Sequence, residues 1–232
     1  MTTTPKTLTV TECHQLLDAL LCKQGTKKQF RKGIRNYTIA LLMLEAGLRV
    51  GEVVALLITD LWFQSLPVTS IIISAQVAKS GRERQIPVSE RLSNAIKETA
   101  ESCWSQRRGE VSLWAFCREN SPLPLTTRQV ERIIRAAAEK SIGRPVHPHV
   151  LRHTFASRLM RKTNARIVQE LLGHQSMTST QIYTHPNEDD KKKAIGQLNE
   201  PALSSQPGRR GLPACPDAAN SCDAARTNQH HS

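Results

Sequence analysis

The sequence predicts a mainly helical domain carrying one small β-hairpin, an α+β fold in which helix predominates. Three observations carry this. Aromatic residues make up only 4% of the 232 and hydrophobic residues 39%, so any core must be built mostly from Leu, Ile, Val and Ala, which suit packed helices. Most of the chain repeats its apolar residues at spacings of three and four, between residues that start and stop helices. One stretch departs from this, where β-branched residues flank a Ser-Gly turn signal.

The elements follow in order. Thr9 and Glu12 fit the S/T-x-x-E capping box. Cys13, Leu16, Leu17, Leu20 and Leu21 then share one face of a first helix. "KQGTKKQFRKGIR" (23–35) reads as a basic connector. "NYTIALLMLEA" (36–46) is a strongly apolar second helix, with Tyr37 in its core and Gly47 as its C′ residue. "GLRVGEVVALL" restarts as a short helix. "VTSIIISAQVA" and "RQIPV" form a hairpin around "KSGRE" (79–83), with basic residues at its tip. "SERLSNAIKETAESCW" returns to helix, capped by Ser89 or Ser93, and "LWAFCR" is a short apolar piece. "TTRQVERIIRAAAEKSIG" is an amphipathic helix ending at Gly143. Helices are expected over "HVLRHTFASRLMRK", starting at His149, over "ARIVQELLGH" and over "TSTQIYTH", with a final turn or two in "NEDDKKKAIGQLN". From Glu200 onward Pro, Ala, Ser, Gly and Asn show no periodicity, and a disordered tail is expected.

The charge narrows the function. Lys+Arg 32 against Asp+Glu 20 gives +12, the footprint of a polyanionic partner, nucleic acid before membrane. The longest apolar run, "IALLMLEAGL", contains Glu45 and falls well short of the roughly 20 residues that span a bilayer. "MTTTPKTLTV" has no signal-peptide hydrophobic region. Six cysteines show no C-x-x-C spacing, which suits reduced thiols in a cytosolic protein.

"HPHVLRHTFA" (147–156) concentrates three histidines and an arginine. His149 and His153 are four apart, as in H-E-x-x-H, but Val150 stands where that motif has its Glu and Arg152 sits between the would-be ligands. A cation is a poor neighbour for a zinc ion, so a metal site is disfavoured. His153 reads as a histidine satisfied within helix packing, and His147, outside the helix, is assigned nothing. His149 and Arg152, neighbours at i, i+3, form either a solvated face or half of a phosphate site.

The wider pattern resembles that of the tyrosine recombinases, the phage-integrase and Xer-like family. "HVLRHTFASRL" carries H-x-x-R, and "VQELLGHQSMTSTQIYTH" carries L-G-H followed by a Tyr nine residues on. "GLRVGE" matches a GLRxxE motif, and the lysine of "AKSGRERQIPV" matches the family's hairpin lysine. The resemblance covers roughly residues 8–195. It implies a recombinase catalytic domain with Arg49, Lys79, His149, Arg152, His174 and Tyr183 as catalytic residues and Glu52 in support.

The residue types suit that chemistry. Two guanidinium groups, always charged and fork-shaped, can hold the non-bridging oxygens of a phosphodiester as it becomes pentacoordinate, without a metal. By the resemblance these belong to Arg49 and Arg152. Tyr183 would be the nucleophile, forming a phosphotyrosyl ester. A phenol of pKa about 10 needs a base or a strongly positive site, and His149 is the implied base. Lys79 would protonate the departing 5′ oxygen, with Arg82 and Arg84 as nearby rivals for that place. His174 would hydrogen-bond the scissile phosphate, and Glu52 would orient the others.

The resemblance also implies a domain plan: a short extension over 1–8, the catalytic domain over 9–199, and the tail over 200–232. A helical core-binding domain, usual ahead of the catalytic domain in this family, is expected to be absent because the catalytic pattern begins near Thr9. The expected partners are double-stranded DNA and further copies of the chain in a synaptic tetramer, with no cofactor, no metal and no membrane. The expected location is the cytoplasm, on the nucleoid when DNA is bound. Two other readings stand beside this: a catalytically silent DNA-binding regulator or decayed mobile-element remnant with the same fold, and a metal-dependent hydrolase.

Overall fold

The computed structural model describes residues 7–21, 25–78, 81–105, 112–118 and 121–173. Within them the fold is mostly helical with two small antiparallel hairpins, the class the sequence predicts. Helix α1 (Val10–Leu20) starts with the expected capping box: Thr9 Oγ1 accepts from the Glu12 N–H at 3.1 Å, and Glu12 accepts from the Thr9 N–H at 2.8 Å. Its buried face is Cys13, Leu16, Leu17 and Leu20.

Helix α2 spans Lys27–Glu45, so most of the expected basic connector is helical. A second capping box, Thr26 with Gln29, starts it. That box uses Gln rather than Glu and is followed by exposed charged residues, so apolar periodicity begins only at Ile34. Ile39 to Leu44 are all buried, which makes this half of α2 a central helix enclosed on every side. Helices α4 (Glu90–Thr99), α6 (Pro148–Met160) and α1 pack against it, and α1 also packs on α5 (Thr127–Ile142). Tyr37 is only half-buried: its hydroxyl accepts from Arg91 Nε at 3.2 Å and Arg91 lies over its ring. The expected core tyrosine packs against the main core but keeps its polar end at the edge.

Gly47 ends α2 with φ +63°, and a Cβ there would run into the Phe155 ring. The position needs glycine both for its backbone and for the close approach of α6. Helix α3 (Val50–Val54) follows at once. Strands β1 (Trp62–Phe63) and β2 (Leu66–Pro67) form a hairpin that the sequence did not suggest. Its two-residue turn, Gln64–Ser65, has positive φ at both positions without the Gly or Asn that usually marks such a turn.

The expected hairpin is β3 (Ser70–Ile73) against β4 (Arg84–Pro87), pairing Ile71 with Ile86 and Ile73 with Arg84. Its buried face carries Ile71, Ile73, Ile86 and Arg84. Ser89 caps α4, and a wider turn over Ala100–Trp104, closed by Ser105 N–H to the Ala100 carbonyl, completes that predicted helix. Helix α6 begins one residue before His149, with Pro148 in the first position, where a missing N–H does no harm. Helix α7 (Ala165–Leu172) ends at Gly173, φ +62°. It contributes to a small apolar cluster of Ala156, Val168 and Leu172, with Phe155, Leu159 and Met160 around them, and through Leu171 it also packs against the main core. The elements expected beyond Gly173, and the tail, lie outside the described residues. No helix among the described residues is long and apolar enough to cross a membrane.

Candidate active site

Four expected site residues fall among the described residues, and three of them meet. The chain leaves α2 at Gly47, and Arg49 is the N-cap of α3. One turn on, Glu52 turns back: its carboxylate accepts from the Arg49 backbone N–H at 2.7 Å and from Arg49 Nη1 at 3.0 Å. Arg152 enters from α6. Its Nη1 donates to the Gly47 carbonyl and lies 4.0 Å from Glu52 Oε2, while Nη2 donates to the Leu172 carbonyl at 2.7 Å. Arg152 is 6% exposed and Glu52 2%, whereas the Arg49 side chain is 21% exposed and forms the open edge of the cluster.

A residue weighed only as a rival for the hairpin position completes the group. Arg84 Nη1 and Nη2 grip both Glu52 oxygens at 3.0 and 2.6 Å, and Nε donates to the Leu171 carbonyl at 3.1 Å. The signal was present in the sequence: alternation along "RQIPV" puts Arg84 on the same face as Ile86. An arginine facing inward on a strand requires a buried partner.

Three guanidinium groups thus surround one carboxylate, leaving an excess of two positive charges. Burial alone would raise the Glu52 pKa. The Arg84 fork, the Arg49 backbone N–H and the charges of Arg84 and Arg152 outweigh it and hold the carboxyl below its ordinary value. Glu52 is therefore ionised at neutral pH, suited to orient arginines and not to move protons. The two arginines from β4 and α6 also clamp consecutive carbonyls at the C-terminal end of α7, where the helix dipole is negative.

His149 is exposed at the second position of α6. His153, one turn further, is half-buried. Burial, with smaller effects from the charges of His149 and Arg152, pushes its pKa below the ordinary value. His147 places Nδ1 2.9 Å from the Glu131 carboxylate. Lys79, His174 and Tyr183 lie outside the described residues.

A second basic feature lies between α2 and α5. Lys32, Arg35, Arg118 and Arg132, with Gln129, line an open cleft of about 460 Å³ that no described carboxylate lines. Arg35 is held by neutral acceptors, the Cys117 carbonyl and Asn36 Oδ1, each at 3.0 Å. Burial lowers its pKa from the ordinary arginine value.

Comparison with known proteins gives one consistent answer. The model of the phage integrase family matches residues 6–190. The chain is 34% identical over 200 residues to the tyrosine recombinase XerA of Pyrococcus furiosus, covering 85% of this chain and 63% of that protein. It is 33% identical over 187 residues to XerC of Pseudomonas entomophila, covering 78% and 56%. It therefore spans somewhat over half the length of these relatives. Among solved structures, the crystal structure of XerA recombinase is similar with TM-score 0.65 at 30% identity, over 85% of this chain and 66% of that one. XerH bound to palindromic difH substrate, a post-cleavage complex, is similar with TM-score 0.60 at 25% identity, over 85% and 54%. Family match, relatives and fold agree with the buried arginine cluster: the chain belongs to the phage integrase family.

Proposed function

We propose that this chain is a site-specific DNA recombinase that breaks and rejoins strands through a covalent 3′-phosphotyrosyl intermediate, without a metal ion. The observation that carries the reading is the excess of positive charge held rigidly around Glu52, with Arg49 at its open edge. In a water-poor setting, fixed donors aimed at a developing oxyanion are the largest aid to such a reaction. Arg49 and Arg152 hold the scissile phosphate and Tyr183 attacks it. His149 takes the phenolic proton, Lys79 protonates the 5′ oxygen that leaves, and His174 hydrogen-bonds the phosphate. Glu52 orients the arginines. Residues 9–199 are the catalytic domain.

The partner is double-stranded DNA. The net charge of +12 and the basic cleft between α2 and α5 support this, as do relatives solved on DNA, among them XerH on its difH substrate. Assembly into a synaptic tetramer and action on DNA in the cytoplasm belong to the same reading.

Replacing Tyr183 with Phe removes one oxygen and keeps the ring. DNA binding, by gel shift, should persist, while a labelled suicide substrate should give no covalent band on a denaturing gel. Wild-type cleavage should continue in EDTA. A covalent band that persists in Tyr183→Phe, or cleavage that requires added Mg²⁺ or Zn²⁺, would overturn the reading. Binding without any covalent product from the wild-type chain would favour a silent regulator.

A further inference from the structure

We propose that Arg84 is a positioning residue of the active site, the group that fixes the Glu52 carboxylate and through it the placement of Arg49 and Arg152. This rests on the recombinase reading above.

Glu52 is buried, so its negative charge must be compensated inside the protein. Arg49 and Arg152, expected from the sequence to hold the phosphate, are the other two positive charges beside the carboxylate. If they supplied the compensation alone, each would be drawn onto the carboxylate, and the site would hold one excess positive charge. Arg84 changes both terms. Its fork occupies Oε1 and Oε2 together, with the shorter approach at 2.6 Å, whereas Arg152 is left 4.0 Å from the same carboxylate and Arg49 gives it only Nη1 from its side chain. A bidentate pair also fixes the plane of the carboxylate, and with it the direction of the Arg49 side chain.

The third N–H of Arg84 extends the effect. Leu171 and Leu172 present consecutive carbonyls, one to Arg84 and one to Arg152. The end of α7 is therefore set by the same two arginines that meet at Glu52. Arg84 itself is 4% exposed at its side chain, enclosed between strand, helix and carboxylate, and so is placed to act through the other groups without meeting substrate.

The test uses the full chain and a suicide DNA substrate. Single-turnover rates of covalent-complex formation are measured at saturating DNA, with Kd and Tm measured separately. Arg84→Lys keeps the charge and loses the fork. The expected result is a cleavage rate lower by about 10–100-fold, the effect of removing partners that orient metal ligands in comparable sites, with Kd changed less than about threefold. Arg84→Met combined with Glu52→Gln removes the pair together and should cleave faster than Arg84→Met alone, because no unmatched carboxylate then competes for Arg49 and Arg152. Gln85→Ala, exposed on the same strand, is the control and should match wild type.

Wild-type rates in Arg84→Lys would overturn the proposal, as would rate, Kd and Tm falling together, which marks a purely structural arginine. Equal loss in Arg84→Met with and without Glu52→Gln would also overturn it. Failure of the wild-type chain to form any covalent complex would overturn the recombinase reading, and this proposal with it; an active wild type beside an indifferent Arg84 overturns this proposal alone.

Discussion

At the residue scale, the expected charges were legible and their compensation was only partly so. Arg49, Glu52 and Arg152 stand in recognisable motifs. The role of Arg84 depends on an ion pair between residues 32 apart in sequence, which no local pattern encodes beyond the inward register of its strand. His153 shows the opposite case, since its reading as a packed histidine follows from helix geometry alone. Its depressed pKa has a consequence for pH. Below about pH 6.5 the unfolded chain binds a proton at this residue that the folded chain resists. The contribution of neutral His153 to stability is therefore full above that pH and is lost as pH falls through the lower, folded value. Urea midpoints measured from pH 7.5 to pH 5 should decline in wild type, and the decline should be shallower in His153→Gln. An identical slope in both would show that other groups carry it.

At the element scale, caps and periodicity located α1, α5, α6 and α7 well because each start or stop is chemically marked. Helix α2 began nine residues before its expected start, since its first turns are charged and exposed and only Thr26 with Gln29 announces them. The β1–β2 hairpin was not legible because Gln64 and Ser65 adopt positive φ without the residues that favour it. The junction between α2 and α3 offers the sharpest test of an element boundary. Gly47→Ala places a methyl group in a left-handed conformation and against the Phe155 ring. The backbone penalty is about 1 kcal/mol, and overpacking adds about 1–3 kcal/mol. Denaturant titration should show a loss of at least about 2 kcal/mol. Because the Gly47 carbonyl receives Arg152, cleavage should fall further than the unfolded fraction explains. A stability change below about 0.5 kcal/mol would mean that the helix ends yield more easily than this packing implies.

At the scale of the whole molecule, the net charge of +12 pointed to a polyanion, while the placement of charge came only with the fold. Lys32 and Arg35 belong to α2, Arg132 to α5, and Arg118 to the segment between α4 and α5. On the proposed reading the cleft they line receives backbone phosphates. Arg35→Met with Arg132→Gln should weaken DNA binding for any sequence and make the log–log salt slope less negative, by about 0.9 for each phosphate no longer neutralised. An unchanged slope would place DNA elsewhere. The division of the apolar interior has a different consequence. Helix α7 buries Val168 and Leu172 in a small cluster of its own and meets the main core only through the partly buried Leu171, yet its last carbonyls receive Arg84 and Arg152. A short helix with two fully buried side chains, Val168 and Leu172, opens locally at a free energy below that of global unfolding. Amide hydrogens of α7 should therefore exchange with deuterium well before those of Ile39 to Leu44, and Arg84→Lys should accelerate α7 without changing α2. Arg84 and Arg152 each donate to an α7 carbonyl, so a DNA that engages the arginines should slow exchange in α7 as well.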